Sequence, residues 1–158
     1  MNVTDKSALR GDLRITVRSA ITGASIRRLL IKNTITQKAL TAIIRLLAQP
    51  PDITLTNYQM TSLHIGTGTA APTKTQTALS TEVLSLPLAE ENRVITDSDP
   101  FELKILITLG ADQGNGNTLT EAGLFLTNNF MFSRQTHPAL VKTSALVFDY
   151  DWRIEFTA

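Results

Sequence analysis

The chain contains no cysteine, which excludes disulfides, thiolate metal centres and cysteine nucleophiles. It has no charge excess either: 15 Lys and Arg stand against 14 Asp and Glu, a formal net charge of +1. That balance argues against a specific nucleic-acid partner. No apolar run approaches the roughly 20 residues of a membrane span. The opening stretch MNVTDKSALRGD lacks the apolar segment of a signal peptide. These absences predict synthesis in a cytoplasm and no membrane partner. Aromatics are few, at 6%, and all six Phe fall between Phe101 and Phe156.

What is present suits one domain over residues 1–158, since 158 residues at 42% hydrophobic can bury a real core. Residues 1–10 are polar and unpatterned, and are expected to form a flexible or docking arm. The clearest strand lies near the C-terminus. Leu146, Phe148, Tyr150, Trp152, Ile154 and Phe156 alternate with Val147, Asp149, Asp151, Arg153 and Glu155. A period of two places the aromatic set on one face, expected to be the floor of the core. Phe101 to Leu109 alternates in the same way. Asp12–Arg18 and Ser25–Lys32, joined at Thr22-Gly23, read as an N-terminal hairpin. Leu124–Leu126 and Phe130–Phe132 flank Asn128-Asn129, a turn where positive φ is tolerated. Ser62–Ile65, Glu82–Leu88 and Arg93–Thr96 are further extended segments, and Pro87 suggests an edge.

One segment changes period. Ala39, Leu40, Ile43, Ile44 and Leu47 repeat at helical spacing, predicting an amphipathic helix over about 35–48. Thr34 and Gln37 match a capping box, and Pro50-Pro51 stops the helix. Many short strands and one helix predict a mainly β, antiparallel β-sandwich-like domain.

Catalytic chemistry finds little support. His64 and His137 lack metal-ligand spacing and read as surface or rim histidines. Asp149 and Asp151 share a strand face with Arg153, better suited to a solvated or interface face than to paired acid–base catalysis. Asp97-Ser98-Asp99 and the Asp112 loop lack a calcium-loop pattern. Gly66-Thr67-Gly68-Thr69 fits neither phosphate-loop motif, and residues 66–80 read as a mobile loop that orders against a neighbour. The sequence therefore predicts no catalytic, cofactor-binding or metal-ligating residue and no cofactor. Two candidate interface groups remain. One is the hairpin arginines Arg14, Arg18, Arg27 and Arg28, of which Arg14 and Arg18 share a face. The other is Gly66, Thr67, Gly68 and Thr69.

An ordered set of short motifs carries a resemblance. It comprises Thr120–Phe125 (T-E-A-G-L-F), Phe130–Arg134 (F-M-F-S-R), His137–Thr143 (H-P-A-L-V-K-T) and the Trp152 strand. Upstream are Asn33–Thr36, Ile65–Thr73 and Thr77–Val83. Over about residues 33–156 the chain resembles a family of tailed-bacteriophage virion proteins: tail, baseplate, collar or fibre-associated components. The resemblance implies a non-enzymatic structural subunit of the virion, made in the host bacterial cytoplasm. It would work as a symmetric oligomer with identical subunits and other virion proteins as partners. Glu121, Gly123, Phe125, Phe132, Arg134, Pro138, Lys142 and Trp152 are read as residues that hold the fold, with Glu121 facing Arg134 across the hairpin. The alternative is a β-sandwich module binding a host glycan, although Tyr58 is the only clear loop aromatic to serve it.

Overall fold

The computed structural model describes residues 8–48, 51 and 54–157. Most of the expected arm, residues 1–7, lies outside them. Ala8–Arg10 already belong to the first strand, so the chain enters the sheet earlier than its polar composition suggests.

The fold is a β-sandwich of two five-stranded antiparallel sheets. The first sheet has the order β2-β1-β10-β7-β6. Its strands are β1 (Ala8–Ser19), β2 (Ser25–Lys32), β6 (Arg93–Thr96), β7 (Phe101–Leu109) and β10 (Leu146–Thr157). The second has the order β3-β9-β8-β4-β5. It is built from β3 (Thr34–Ile35), β4 (Met60–Gly66), β5 (Glu82–Pro87), β8 (Thr118–Leu126) and β9 (Met131–Val141). Helix α1 spans Gln37–Ala48.

β10 is the central strand of the first sheet, flanked by β1 and β7. The register sets Trp152 between Leu13 and Ile105, and Phe148 between Val17 and Leu109. Phe148, Tyr150, Trp152 and Ile154 are buried, as their alternation predicts. The far end of the strand opens to solvent: Phe156 is 46% exposed beside Phe101 at 48%. The Tyr150 hydroxyl is buried without a hydrogen-bond partner, and burial pushes its ionisation up. An unsatisfied buried hydroxyl costs stability. Tyr150→Phe is therefore expected to leave stability unchanged or raise it by about 1 kcal/mol, read by denaturant unfolding.

The helix begins two residues later than its periodicity suggests. Thr34 and Ile35 pair with Arg134 and Ser133 as a short strand, so Thr34 is unavailable as a cap. Thr36 caps instead: its hydroxyl accepts from the Ala39 N–H (3.2 Å) and donates to the Met131 carbonyl (2.6 Å). The helix also buries less than its pattern promises. Ala39 and Ala42 are buried and Ile43 packs on the core, whereas Leu40, Ile44 and Leu47 stay 47%, 65% and 81% exposed. Only the two alanines of the helix are fully buried against the sandwich.

β8 is buried on both faces from Glu121 to Leu126. Ala122, Leu124 and Leu126 join the sandwich core. On the outer face Phe125 packs with Met131 and Leu79, the last carried by the segment after β4. This segment folds back over the second sheet, and the turn into β9 uses Asn129 at φ 56°.

Candidate functional site

Under the folded-back segment lies a buried ion pair. Glu121 on β8 and Arg134 on β9 are both fully buried, and the Arg134 terminal nitrogen sits 2.7 Å from Glu121 Oε2. Arg134 Nε donates to the same oxygen at 2.9 Å. The rest of the guanidinium donates to Gln76 Oε1 (2.9 Å) and Ser80 Oγ (3.0 Å). Glu121 Oε1 accepts the Gly68 N–H (2.9 Å) and the Thr81 N–H (2.7 Å), while Oε2 accepts the Ser80 N–H (3.0 Å). Thr120 Oγ1 donates to the Gly68 carbonyl. One carboxylate and one guanidinium thus satisfy both ends of the loop, as a buried ionic group requires.

This overturns two expectations. Residues 66–68 and 79–81 are pinned from beneath, although residues 69–71 and 73–75 are exposed. Gly66 and Gly68 are buried and present little surface to a neighbour. A Cβ on Gly66 would collide with the Thr81 carbonyl, and one on Gly68 with the Glu121 carboxylate. Glycine is needed here for close approach. Thr67 is half-buried, and only Thr69 of that group is exposed.

Among the fold-holding candidates, Glu121, Phe125, Phe132, Arg134, Lys142 and Trp152 are buried, and only Pro138 is exposed. A Cβ on Gly123 would press against Leu79 and the Ser133 carbonyl. Lys142 is buried with its ammonium donating to Asn115 Oδ1 (3.0 Å), the Thr143 carbonyl (3.0 Å) and the Ala111 carbonyl (3.4 Å). It thereby organises the Asp112–Asn117 loop. Burial lowers the Lys142 pKa, while the Asp112 charge acts in the opposite direction.

Both histidines are buried, contrary to their expected place at the rim. His64 stacks on Phe125 with ring centroids 3.9 Å apart. Its Nδ1 lies 2.8 Å from Glu82 Oε2 and its Nε2 2.8 Å from Ser62 Oγ. Serine, imidazole and carboxylate stand in the order of a nucleophile relay. The surroundings do not complete one. β4 runs between β5 and β8, so its amides serve the sheet. This cluster was not legible from spacing, because Glu82 comes from a different strand.

His137 is held by its own strand, Nδ1 lying 3.0 Å from the Pro138 carbonyl, while Nε2 is buried without a partner. Burial pushes its pKa down; the Pro138 contact and Glu121 act in the opposite direction, and Arg27 adds to the depression. The unfolded chain then takes up this proton first. Stability from the neutral ring is complete above the unfolded pKa near about 6.5 and is lost as pH falls through the folded value. The melting temperature is expected to decline below about pH 6.5, and His137→Gln should flatten that limb in a pH series of thermal melts.

The hairpin arginines separate into two kinds. Arg18 pairs with Asp149 on β10 through two hydrogen bonds, and Thr108 Oγ1 donates to the same carboxylate at 2.8 Å. The Arg18 hydrogen bond holds the Asp149 carboxyl below its usual range. Arg18 is therefore engaged within its own sheet, and the even spacing that put Arg14 beside it did not reveal this. Asp151 is likewise taken by Arg153 (2.8 Å). Arg14 stands exposed opposite Asp151, and Arg27 and Arg28 are exposed on the margin strand β2. An open groove of about 920 Å³ at the end of this face sets Arg14, Lys32 and Lys74 among Asp12, Glu102 and Glu155. No aromatic residue lines it, so it offers no stacking platform for a sugar.

Among the described residues, no three His, Cys, Asp or Glu are grouped so that they could hold a metal ion. No protein-family model, curated protein or solved structure matches the chain.

Proposed function

We propose that the chain is a non-enzymatic structural subunit of a tailed-bacteriophage virion, working as a symmetric oligomer at the neck, tail or baseplate or as an attached fibre. The observation that carries this reading is the apolar surface left without a partner. Ile21, Ile26 and Leu30 on the first hairpin are 90%, 61% and 65% exposed, and Leu40, Ile44 and Leu47 form an exposed stripe on α1. Val94 and Ile95 add another at the β6 margin. Large exposed apolar residues gathered at margins mark contact surfaces. A second support is the motif set that resembles such virion proteins. Its Glu121, Arg134 and Lys142 are buried and tie the second sheet to its loops, giving the stiffness an assembly part needs.

Quantitative mass spectrometry of purified particles tests this proposal. Several copies per particle, at a fixed ratio to the major capsid protein, are expected. Particles lacking the chain would overturn the reading.

A further inference from the structure

The first sheet ends in two unlike margins, β2 on one side and β6 on the other. β2 carries Arg27, Arg28 and Lys32, all exposed, and no acid. β6 is bracketed by Glu90 and Glu91 before it and Asp97 and Asp99 after it, all exposed. Its single base, Arg93, is half-buried and donates to the Leu88 carbonyl at 3.4 Å. Ile26 and Leu30 on one margin and Val94 and Ile95 on the other are exposed apolar residues. The second sheet is blunted by comparison: β3 is two residues long, and β5 ends in Pro87.

We infer that the β2 margin of one copy takes the β6 margin of the next copy, joining first sheets head to tail into a closed ring. This deepens the reading of the chain as an oligomeric structural subunit and rests on it. Two-fold pairing of β2 with β2 would set Arg27, Arg28 and Lys32 against themselves. Pairing of β6 with β6 would crowd the four acids. Like charges across a strand pair repel, so the unlike margins select each other.

Strand count then fixes direction. Each of the five strands is antiparallel to its neighbour, so β2 and β6 run the same way. Copies related by rotation about an axis along the strands therefore meet through a parallel β6–β2 junction. That alignment brings Arg27 and Arg28 toward Glu90 and Glu91, and Lys32 toward Asp97 and Asp99. A single heterologous contact of this kind, repeated, closes a ring when its rotation divides the circle. It also brings the four apolar residues into the junction and pairs each margin over the four-residue length of β6.

The cysteine-free chain allows a direct test with Ile26→Cys on β2, Ile95→Cys on β6 and a short bis-maleimide, applied to purified protein and to particles. Mixing the two variants should give the mixed dimer, with little coupling of either variant to itself. A chain carrying both changes should give a ladder that ends at one ring size. Adding Arg27→Glu and Arg28→Glu to the β2 variant should lower mixed coupling at least about tenfold, with thermal unfolding unchanged. Glu90→Lys and Glu91→Lys on the β6 variant should restore it. Dominant self-coupling, coupling insensitive to the reversals, or no coupling in either preparation would overturn the ring. Coupling in purified protein that is absent from particles would remove the virion reading and leave the ring. Incorporation into particles without β2–β6 coupling would do the reverse.

Discussion

Replacing Glu121 by Gln is expected to destabilise the chain by about 3–5 kcal/mol, the usual consequence of leaving a buried partner charge alone. Arg134 would stay buried facing an amide, and Gly68, Ser80 and Thr81 would share a weaker acceptor. Against a typical total of about 5–15 kcal/mol, such a loss threatens folding near body temperature. Glu121→Leu with Arg134→Met should be less damaging than the sum of the single changes. It should not reach wild type, because the three loop amides lose their acceptor. Urea unfolding of the four proteins measures this coupling; additive losses would show that the pair acts as two independent groups. The carboxyl also sets acid sensitivity. Burial alone would raise its pKa, but the Thr81 and Ser80 amides, the Arg134 guanidinium and the Gly68 amide together hold it below the usual value. Its contribution is therefore complete above about pH 4.3, the ordinary carboxylate value. It is lost as pH falls through the lower folded value.

Trp152→Ala should cost a comparable amount, about 3–5 kcal/mol, because the indole is completely buried between Leu13 and Ile105. The cavity would lie in the middle strand of the first sheet, where both neighbouring strands restrict collapse. Its fluorescence provides an independent check. As the only Trp, it should emit as a water-excluded indole in the folded chain and shift to the red on unfolding. A red-shifted native spectrum would contradict the packing. So would a loss below about 1 kcal/mol in the alanine variant.

Strands with strict alternation were legible from residue order alone. Phe101–Leu109 and the Trp152 strand fall where their period of two puts them, because one face of the first sheet meets the core and the other meets solvent. Pro87 correctly marked an edge. The loop after β4 was misread because its order comes from a distant carboxylate: nothing between Thr67 and Ser80 announces that Glu121 waits beneath. Thr34 and Thr36 are equally good caps by type. A strand partner 100 residues downstream, Arg134 opposite Thr34, decides between them. The helix pattern overstated burial because periodicity identifies an apolar face without saying what covers it. Arg18 illustrates the same limit, since its carboxylate comes from β10.

The pairing of β1 with β10 has a consequence for how the chain comes into being. Twelve consecutive residues, Ala8 to Ser19, find their partners only between Leu146 and Thr157. On the ribosome the β1–β2 hairpin emerges long before β10 and then waits, its Leu13, Ile15 and Val17 uncovered, until the intervening chain has been made. The second sheet can close β8 onto β9 as a local hairpin, whereas the first sheet cannot acquire its middle until β10 arrives. Nascent chains arrested before Leu146 should therefore be protease-sensitive over β1 and β2, and release of β10 should protect both together. The margins of the first sheet mature at the same moment as its core, so in the ring proposed above a half-made chain would present no finished margin to the next copy, and assembly would start only from completed chains.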